Sequence, residues 1–310
     1  MPIADPYAPL RASRSLHVPV RTVQYHVHQW GDASLATPDR PALVLVHGWM
    51  DVGASFQFVV DELARLEGER RFVVAADWRG FGGSTGGEVD AFWFQDYLGD
   101  LETLLDAFAP GQPVDLAGHS MGGNVAMSYA GVRPARIRKL VNLEGFGLPD
   151  SKPEHAPARL AKWLDELKAP MELRAYDTLA DVAARLRKNN PRLPADKAAW
   201  LAPHWSAQRA DGRWHILGEP AHKRVNPHLY RAEEILAGWR RIAAPVLWVE
   251  GAQTDVTKYW GNRYPREEFE ARLAHVPDVE QVVLDDCGHM LHHDQPARLA
   301  AAMAAFLDKA

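Results

Sequence analysis

The sequence contains a single cysteine, no long apolar run and no long run of charge of one sign. One cysteine, Cys287, excludes an internal disulfide framework and agrees with a reducing compartment. No stretch approaches the roughly 18 apolar residues of a membrane-spanning helix. Residues 1–20 contain no apolar run of signal-peptide length. We therefore expect a cytoplasmic protein without stable membrane insertion.

Charge and motif content exclude several classes of function. Lysine and arginine number 35 against 40 aspartates and glutamates, a net charge of −5, which argues against nucleic acid as a partner. The chain lacks paired cysteines, a His-Glu-x-x-His pair and a Gly-x-Gly-x-x-Gly loop, so neither a metal nor a nucleotide cofactor is expected. The expected partner is a small-molecule substrate with an apolar part, and the sequence leaves the oligomeric state open.

Short apolar runs alternate with helical patterns along most of the chain, which is typical of βαβ units and a mostly parallel sheet with helices on both faces. The alternation of residues 22–27 predicts a half-exposed edge strand. Helices are expected at 97–108 and 124–130, and a last helix after Asp294 as its N-cap. Continuous apolar runs predict central strands covered on both faces at 42–46, 72–76, 114–117, 140–143, 246–249 and 281–284.

The strand rhythm stops between residues 146 and 239, where prolines divide the chain into short pieces. We predict that residues 146–239 form a helical cap inserted into one core domain made of residues 1–145 and 240–310. The cap would cover the carboxyl ends of the strands, where open α/β sheets bind ligands. Two apolar stripes with helical spacing support this prediction: Leu160, Trp163, Leu164, Leu167 in the first, and Leu179, Val182, Ala183, Leu186 in the second.

Residues 118–123 read Gly-His-Ser-Met-Gly-Gly, follow an apolar strand and open a helix, which is the context of a nucleophile elbow. Gly118 and Gly122 would let neighbouring backbone pass close to a strained turn. The turn would present the hydroxyl of Ser120 at a helix N-terminus, where peptide dipoles favour developing negative charge. The structural alternative is a glycine-rich turn whose serine only caps the helix.

A serine hydroxyl needs a general base to become a nucleophile. Among the 14 histidines, His289 lies between the last predicted strand and the last helix, so its loop would reach the same sheet edge as Ser120. His292 and His293 are the competing candidates, but they lie nearer the helix. His119, inside the elbow, is expected to be a packing residue.

The base needs an acid that fixes its tautomer and stabilises the imidazolium. We favour Asp255, which follows the strand at 246–249 and gives the chain order nucleophile, acid, base. Glu144, at the end of the strand at 140–143, is the alternative acid because its loop ends at the same edge. Either carboxylate could instead be a solvated loop residue.

A tetrahedral intermediate needs two convergent backbone donors for its oxyanion. One donor should be the amide of Met121, the residue after the nucleophile. The other should be the amide of Trp49, in the loop His-Gly-Trp-Met that follows the strand at 42–46, where Gly48 allows close approach.

Together these motifs resemble the α/β-hydrolase superfamily, in its branch with a helical cap, over nearly the whole chain. The resemblance implies that residues 77–84 form a structural turn beside the active site. Relatives that are haloalkane dehalogenases or epoxide hydrolases carry an aspartate nucleophile, so Ser120 disfavours both activities; some of them place the acid where Glu144 stands. Four motifs carry the resemblance: His-Gly-Trp at 47–49, Asp-Trp-Arg-Gly-Phe-Gly-Gly-Ser at 77–84, Gly-His-Ser-Met-Gly-Gly at 118–123 and Gly-His at 288–289.

The predicted reaction is hydrolysis of a carboxylic ester through an acyl-enzyme on Ser120. The alternatives are a C–C bond hydrolase, a thioesterase or a lactonase with the same triad, and a ligand-binding protein that keeps only the hydrolase shell. An apolar substrate part is suggested by the cap tryptophans, which could equally fill the interior of the cap: Trp163, Trp200, Trp205, Trp214 and Trp239.

Overall fold

The computed structural model describes residues 6–86 and 89–309. The first five residues, Gly87, Glu88 and Ala310 belong to the predicted core domain and lie outside the described residues. Within the described ranges, no helix combines the length and the apolar character needed to cross a lipid bilayer.

A large sheet forms the centre of the molecule, with the spatial order β1-β2-β4-β3-β6-β7-β11-β12 and with β5 beside β2. Strands β1, β2 and β5 pair antiparallel, and the strands from β4 to β12 along this order pair in parallel. The predicted mostly parallel sheet is therefore confirmed. The described residues form twelve strands: β1 (Arg14–Val20), β2 (Val23–Trp30), β3 (Leu43–Val46), β4 (Val73–Ala76), β5 (Thr85–Gly86), β6 (Val114–His119), β7 (Ile137–Leu143), β8 (Ala175–Tyr176), β9 (Ser206–Gln208), β10 (Trp214–Ile216), β11 (Val246–Gly251) and β12 (Val279–Leu284).

Two strands lie in positions other than those predicted. β2 is not an edge strand, because β1 pairs with it on the side away from β4 and forms the edge of the sheet. β1 was missed since its histidine and proline, His17 and Pro19, interrupt the apolar pattern. β12 ends the sheet and is only partly buried, with Val283 exposed, so the interpretation of residues 281–284 as a central strand is wrong.

Helices cover both faces of the sheet, and the central strands send alternate side chains to each face. Val44 and Val46 of β3 pack into the cluster that includes α2, α3 and α7. Leu43 and Leu45 pack into the opposite cluster, with α1 and α11. The helices are α1 (Gln57–Glu67), α2 (Phe94–Phe108), α3 (Met121–Val132), α4 (Ala156–Lys168), α5 (Leu179–Asn189), α6 (Ala195–Trp205), α7 (Ala232–Trp239), α8 (Thr257–Trp260), α9 (Arg266–Leu273), α10 (Leu291–Asp294) and α11 (Pro296–Leu307).

The start of the last helix differs from the prediction. Gln295, not Asp294, precedes α11 as its N-cap residue. Asp294 ends the short helix α10, and its carboxylate accepts hydrogen bonds from the Asn190 side chain at 2.7 Å and from the Gly288 amide at 2.9 Å. It therefore links the segment between β7 and β11 to the loop that carries His289.

The segment between β7 and β11 contains four helices and also a small antiparallel sheet, β8-β10-β9, which was not predicted from the sequence. The stripe on α5 is partly buried, through Val182 and Leu186. The stripe on α4 is not: none of its residues is buried, and Leu160 and Leu164 are exposed. α7 packs against α3 and places Leu236 and Trp239 in the core cluster of the sheet.

Candidate active site

Ser120 lies in a strained turn between β6 and α3. Its backbone has φ 52° and ψ −113°, a conformation that costs a non-glycine residue free energy and is found where function requires it. A Cβ on Gly118 would lie 2.3 Å from the carbonyl oxygen of Gly122, and a Cβ on Gly122 would lie 2.3 Å from that of Val46. Only glycine fits at these two positions, as the elbow motif predicts.

His289 reaches Ser120 from the loop after β12. Its Nε2 lies 3.0 Å from the Ser120 Oγ, which is hydrogen-bond distance. The His289 carbonyl lies 2.8 Å from Nε2 of His119, and burial lowers the pKa of His119 well below its usual value. His119 is therefore neutral and donates its Nε2 proton to hold the loop of His289 in place.

Glu144 lies on the other side of His289. Its Oε2 is 2.5 Å from His289 Nδ1, while its Oε1 accepts hydrogen bonds from the Gly251 amide at 2.7 Å and from the Thr254 hydroxyl at 2.6 Å. The carboxylate is buried, and these partners satisfy it, as a buried charge requires. With the proton of His289 on Nδ1, Nε2 is free to accept the hydroxyl proton of Ser120.

Asp255 does not contact His289, so the preference for Asp255 over Glu144 is corrected by the geometry. The side chain of Asp255 is exposed and accepts hydrogen bonds from the amide of Thr257 at 3.0 Å and from its hydroxyl at 2.5 Å. The hydrogen bond from the Thr257 hydroxyl is the main cause that lowers the pKa of Asp255. This carboxylate stabilises the turn before α8.

The competing histidines lie behind the site. His292 Nε2 is 3.3 Å from Oδ2 of the buried Asp51, and Asp51 also accepts hydrogen bonds from the Val52 amide at 2.8 Å and from the Ser55 hydroxyl. His293 is buried beside them, and its two ring nitrogens have no hydrogen-bond partner among the described residues. The Asp51–His292 pair, which sequence reasoning missed, joins the loop of Trp49 to α10, next to His289.

The two expected oxyanion donors flank Ser120. Met121 begins α3, and Gly48 approaches so closely that a Cβ on it would lie 3.1 Å from Cβ of Ser120. Within residues 6–86 and 89–309, neither the Trp49 amide nor the Met121 amide donates a hydrogen bond to a backbone carbonyl, apart from bonds within a helix or strand. Neither amide therefore has a backbone acceptor of this kind among the described residues.

Two chambers meet at Ser120 and His289, and Trp49 and Tyr259 line both. The chamber on the side of α5, here called the basic chamber, has a volume of about 510 Å³. The chamber on the side of α7, here called the apolar chamber, has a volume of about 420 Å³ and is lined by Met121, Phe146, Leu148, Leu229, Ile235 and Trp260.

The tryptophans of the segment between β7 and β11 contribute little to these chambers. Trp205 lines the basic chamber. Trp239 is buried in the core of the sheet, and Trp200 packs against Tyr7 and Phe58. The tryptophans that line the apolar chamber are Trp260 of α8 and Trp49. Of the five tryptophans named from the sequence, Trp239 therefore fills interior space and Trp200 packs against other aromatic rings, while Trp205 lines a chamber.

In each of two clusters of histidine and aspartate side chains, the atoms that could bind a metal ion lie within 4.8 Å of one another. Neither cluster was predicted from the sequence. In the first, His26 and His28 lie beside Asp77, whose two oxygens also accept hydrogen bonds from the amides of Gly53 and Gly83 at 2.6 and 2.8 Å. The second is the buried set Asp51, His292 and His293. In both clusters the carboxylate already has protein donors.

Comparison with known proteins gives concordant matches. The family model described as alpha/beta hydrolase fold matches residues 41–296. A 3-hydroxybutyrate-oligomer hydrolase from Cupriavidus necator is 31% identical over 294 residues, which cover 90% of this chain and 91% of that protein. Lipase LipV from Mycobacterium tuberculosis is 27% identical, over 92% of this chain and 98% of its own length. The thioesterase domain from the curacin biosynthetic pathway superposes with a TM-score of 0.79 at 24% identity, over 94% of this chain and 99% of that domain.

Proposed function

Because the chain belongs to the α/β hydrolase fold family, we propose that it is a serine hydrolase that cleaves carboxylic esters with Ser120, His289 and Glu144. The observation that carries this proposal is the contact chain of these three side chains. Ser120 Oγ lies 3.0 Å from His289 Nε2, and His289 Nδ1 lies 2.5 Å from Glu144 Oε2. Nucleophile, base and orienting acid in contact are the arrangement that acyl transfer by a hydroxyl requires.

In the acylation step, Oγ of Ser120 attacks the ester carbonyl carbon while His289 Nε2 takes the hydroxyl proton. The negative charge that develops on the carbonyl oxygen is bound by the amides of Trp49 and Met121, at the N-terminus of α3. Glu144 stabilises the imidazolium through its contact with Nδ1. His289 then gives its proton to the leaving alcohol, and the acyl group stays on Ser120.

Deacylation repeats these steps with water as the nucleophile. His289 Nε2 takes a proton from the water molecule as it attacks the acyl carbon, and the same two amides bind the second oxyanion. Collapse of this intermediate returns the proton to Oγ of Ser120 and releases the carboxylic acid. No group other than these residues and water is needed to balance the reaction.

Two observations favour a carboxylic ester with an apolar part. The apolar chamber opens directly onto Ser120 and His289 and has room for a short alkyl or aryl group. The relative from Cupriavidus necator is named for hydrolysis of 3-hydroxybutyrate oligomers, and hydroxy acids are joined to one another by ester bonds. Lipase LipV is a further relative named for an ester-cleaving activity.

A panel of p-nitrophenyl esters from acetate to octanoate tests this proposal. We expect turnover with an optimum at short or medium chain length and its loss in Ser120→Ala, which leaves the fold and both chambers in place. Turnover of thioesters, lactones or β-diketones, with none of any open-chain carboxylic ester, would retain the triad and refute the assignment to open-chain esters. No turnover in any panel would refute the hydrolase proposal.

A further inference from the structure

The two chambers that meet at Ser120 differ in charge. The lining of the apolar chamber includes two arginines and two glutamates, Arg159, Arg231, Glu144 and Glu234. The lining of the basic chamber includes five cationic side chains and three carboxylates. The cations come from separate segments and face one cavity: Arg174, Arg185, Arg192, Lys223 and Lys258.

These five cations have little charge compensation. Among the described residues, none of the five has a carboxylate oxygen within 4.0 Å of its side-chain nitrogens, although nineteen such contacts of lysine or arginine with a carboxylate occur elsewhere. Lys223 donates to the carbonyl oxygen of Glu172 at 3.2 Å, and the Arg174 guanidinium lies 5.4 Å from the ring centre of Tyr176. Like charges that converge on one cavity raise its positive potential and attract an anion.

The three carboxylates of the basic chamber already have other partners. Asp51 accepts hydrogen bonds from Ser55 and Val52 and faces His292. Asp294 accepts hydrogen bonds from Asn190 and Gly288, and Asp255 accepts two from Thr257. Their charge lowers the net potential of the chamber, and Asp255 interacts with Lys258 in particular. None of the three carboxylates forms an ion pair within 4.0 Å with any of the five cations among the described residues.

Arg192 is the cation whose place next to the reacting groups is best defined. Its Nη1 lies 3.4 Å from the point that a Cβ on Gly288 would occupy, and Gly288 directly precedes His289. The backbone of Arg192 is fixed because its amide donates to Asn190 Oδ1 at 3.2 Å, and Asn190 in turn donates to Asp294 at 2.7 Å. A guanidinium held here presents paired N–H donors, which match the geometry of a carboxylate.

We propose that the basic chamber binds the carboxylate of an ester substrate, with Arg192 as its nearest contact and Arg185 as a second. The preferred substrate is an ester with one apolar half, in the apolar chamber, and one half that ends in a carboxylate. This inference rests on the proposed ester hydrolysis. It adds a substrate class, acidic esters, that the reacting residues alone do not specify.

Matched pairs of esters test the proposal, one pair for each half of the ester. In the first pair the carboxylate is on the acyl side: mono-p-nitrophenyl adipate is compared with p-nitrophenyl hexanoate. In the second it is on the alcohol side: 3-(butanoyloxy)butanoate is compared with 3-(butanoyloxy)butanamide. We expect the anionic member of one pair to have a kcat/KM about tenfold higher, equivalent to one good charged contact, and this preference to shrink with added salt.

The variants Arg192→Gln and Arg185→Gln should each reduce the ratio of anionic to neutral kcat/KM, mainly through KM of the anionic ester. Arg298→Gln, on the exposed face of α11 away from both chambers, is the control and should change neither rate. Arg192→Gln and Arg185→Gln are both made, so that misfolding of one variant still leaves the other to test the proposal. Equal rates within both pairs, or ratios unchanged in both variants, would overturn the anion site while leaving ester hydrolysis intact. If every ester is inert, the proposed function itself is wrong.

Discussion

Ser120 and Glu144 leave adjacent parallel strands at the same level of the sheet. His119 of β6 pairs with Leu143 of β7, and the Ser120 amide donates to the Leu143 carbonyl at 2.8 Å. Both residues then adopt positive φ, 52° for Ser120 and 56° for Glu144. Two turns of similar strain thus bring the hydroxyl and the carboxylate to the same edge, where His289 lies between them.

The identity of the acid gives the first prediction. Glu144→Gln should lower kcat about 10⁴-fold, because an amide neither fixes the His289 tautomer nor stabilises the imidazolium. Asp255→Asn should change kcat less than threefold, since the Asp255 carboxylate accepts hydrogen bonds from Thr257 rather than from His289. Steady-state kinetics on one p-nitrophenyl ester compares the two. A large loss in Asp255→Asn together with a small one in Glu144→Gln would reverse the assignment.

The elbow glycines give the second prediction. Gly122→Ala should destabilise the protein by about 2 kcal/mol or more, because its Cβ would lie 2.3 Å from the backbone oxygen of Val46. Gly238→Ala is the control, since nothing lies within 4 Å of its Cβ and it lies within α7. That change should be neutral or stabilise by up to about 1 kcal/mol. Urea unfolding measures both; equal effects would contradict the packing described for the elbow.

The Asp51–His292 pair gives the third prediction. Asp51→Ala removes the acceptor of the Ser55 hydroxyl, the Val52 amide and His292, and should cost about 3 kcal/mol of unfolding free energy. It should also lower kcat, because Asp51 fixes the loop that carries the Trp49 amide. Asp39→Ala, at an exposed position, should stay within about 0.5 kcal/mol of the parent. Denaturant titration with parallel kinetics checks both effects, and a fully stable, fully active Asp51→Ala would contradict this role.

His222 gives a pH-dependent prediction. Its ring lies between Phe81 and Phe92, with ring centres 3.8 and 3.6 Å away, and burial lowers its pKa from 6.5 to about 3. Below pH 6.5 the unfolded chain therefore binds a proton that the folded chain does not, so stability is lost as pH falls from 6.5 towards 3. The share of His222 is about 1 kcal/mol per pH unit.

Urea unfolding at pH 7 and pH 5 measures this loss. His222→Phe keeps the aromatic stack but cannot titrate, so its stability should fall less over this range than that of the parent. Burial also lowers the pKa values of His28 and His293, to about 4 and about 3. These two residues should therefore keep part of the dependence of stability on pH in His222→Phe. His155→Gln, at an exposed position, should keep the full slope. An unchanged slope in His222→Phe would contradict the account.

The turn at Ser120, the approach of His289 to it and most of the central strands could be predicted because each depends on a local pattern. Glycines two residues before and two residues after Ser120, Gly118 and Gly122, and an apolar run before them already specify the turn. The position of His289 follows from its place after the last strand. These features need no knowledge of which elements are neighbours in space.

The contact of Glu144 with His289 and part of the packing could not be predicted for the opposite reason. Choosing Glu144 over Asp255 requires that β7 lies next to β6 and that Asp255 is engaged by Thr257. The stripe on α4 has helical spacing, yet Leu160 and Leu164 are exposed, because periodicity identifies an amphipathic helix but not its partner. The charge of the basic chamber depends in the same way on segments far apart in sequence.

The most direct test of the central claim is covalent labelling of the nucleophile. A fluorophosphonate probe should add one equivalent of mass, and peptide mapping should place it on Ser120. Ser120→Ala should take up none, and Glu144→Gln should be labelled far more slowly than the parent, whereas Asp255→Asn should keep the parent rate. Labelling at another residue, or none under conditions where a known serine hydrolase is fully modified, would contradict the account of Ser120, His289 and Glu144 as one reacting unit.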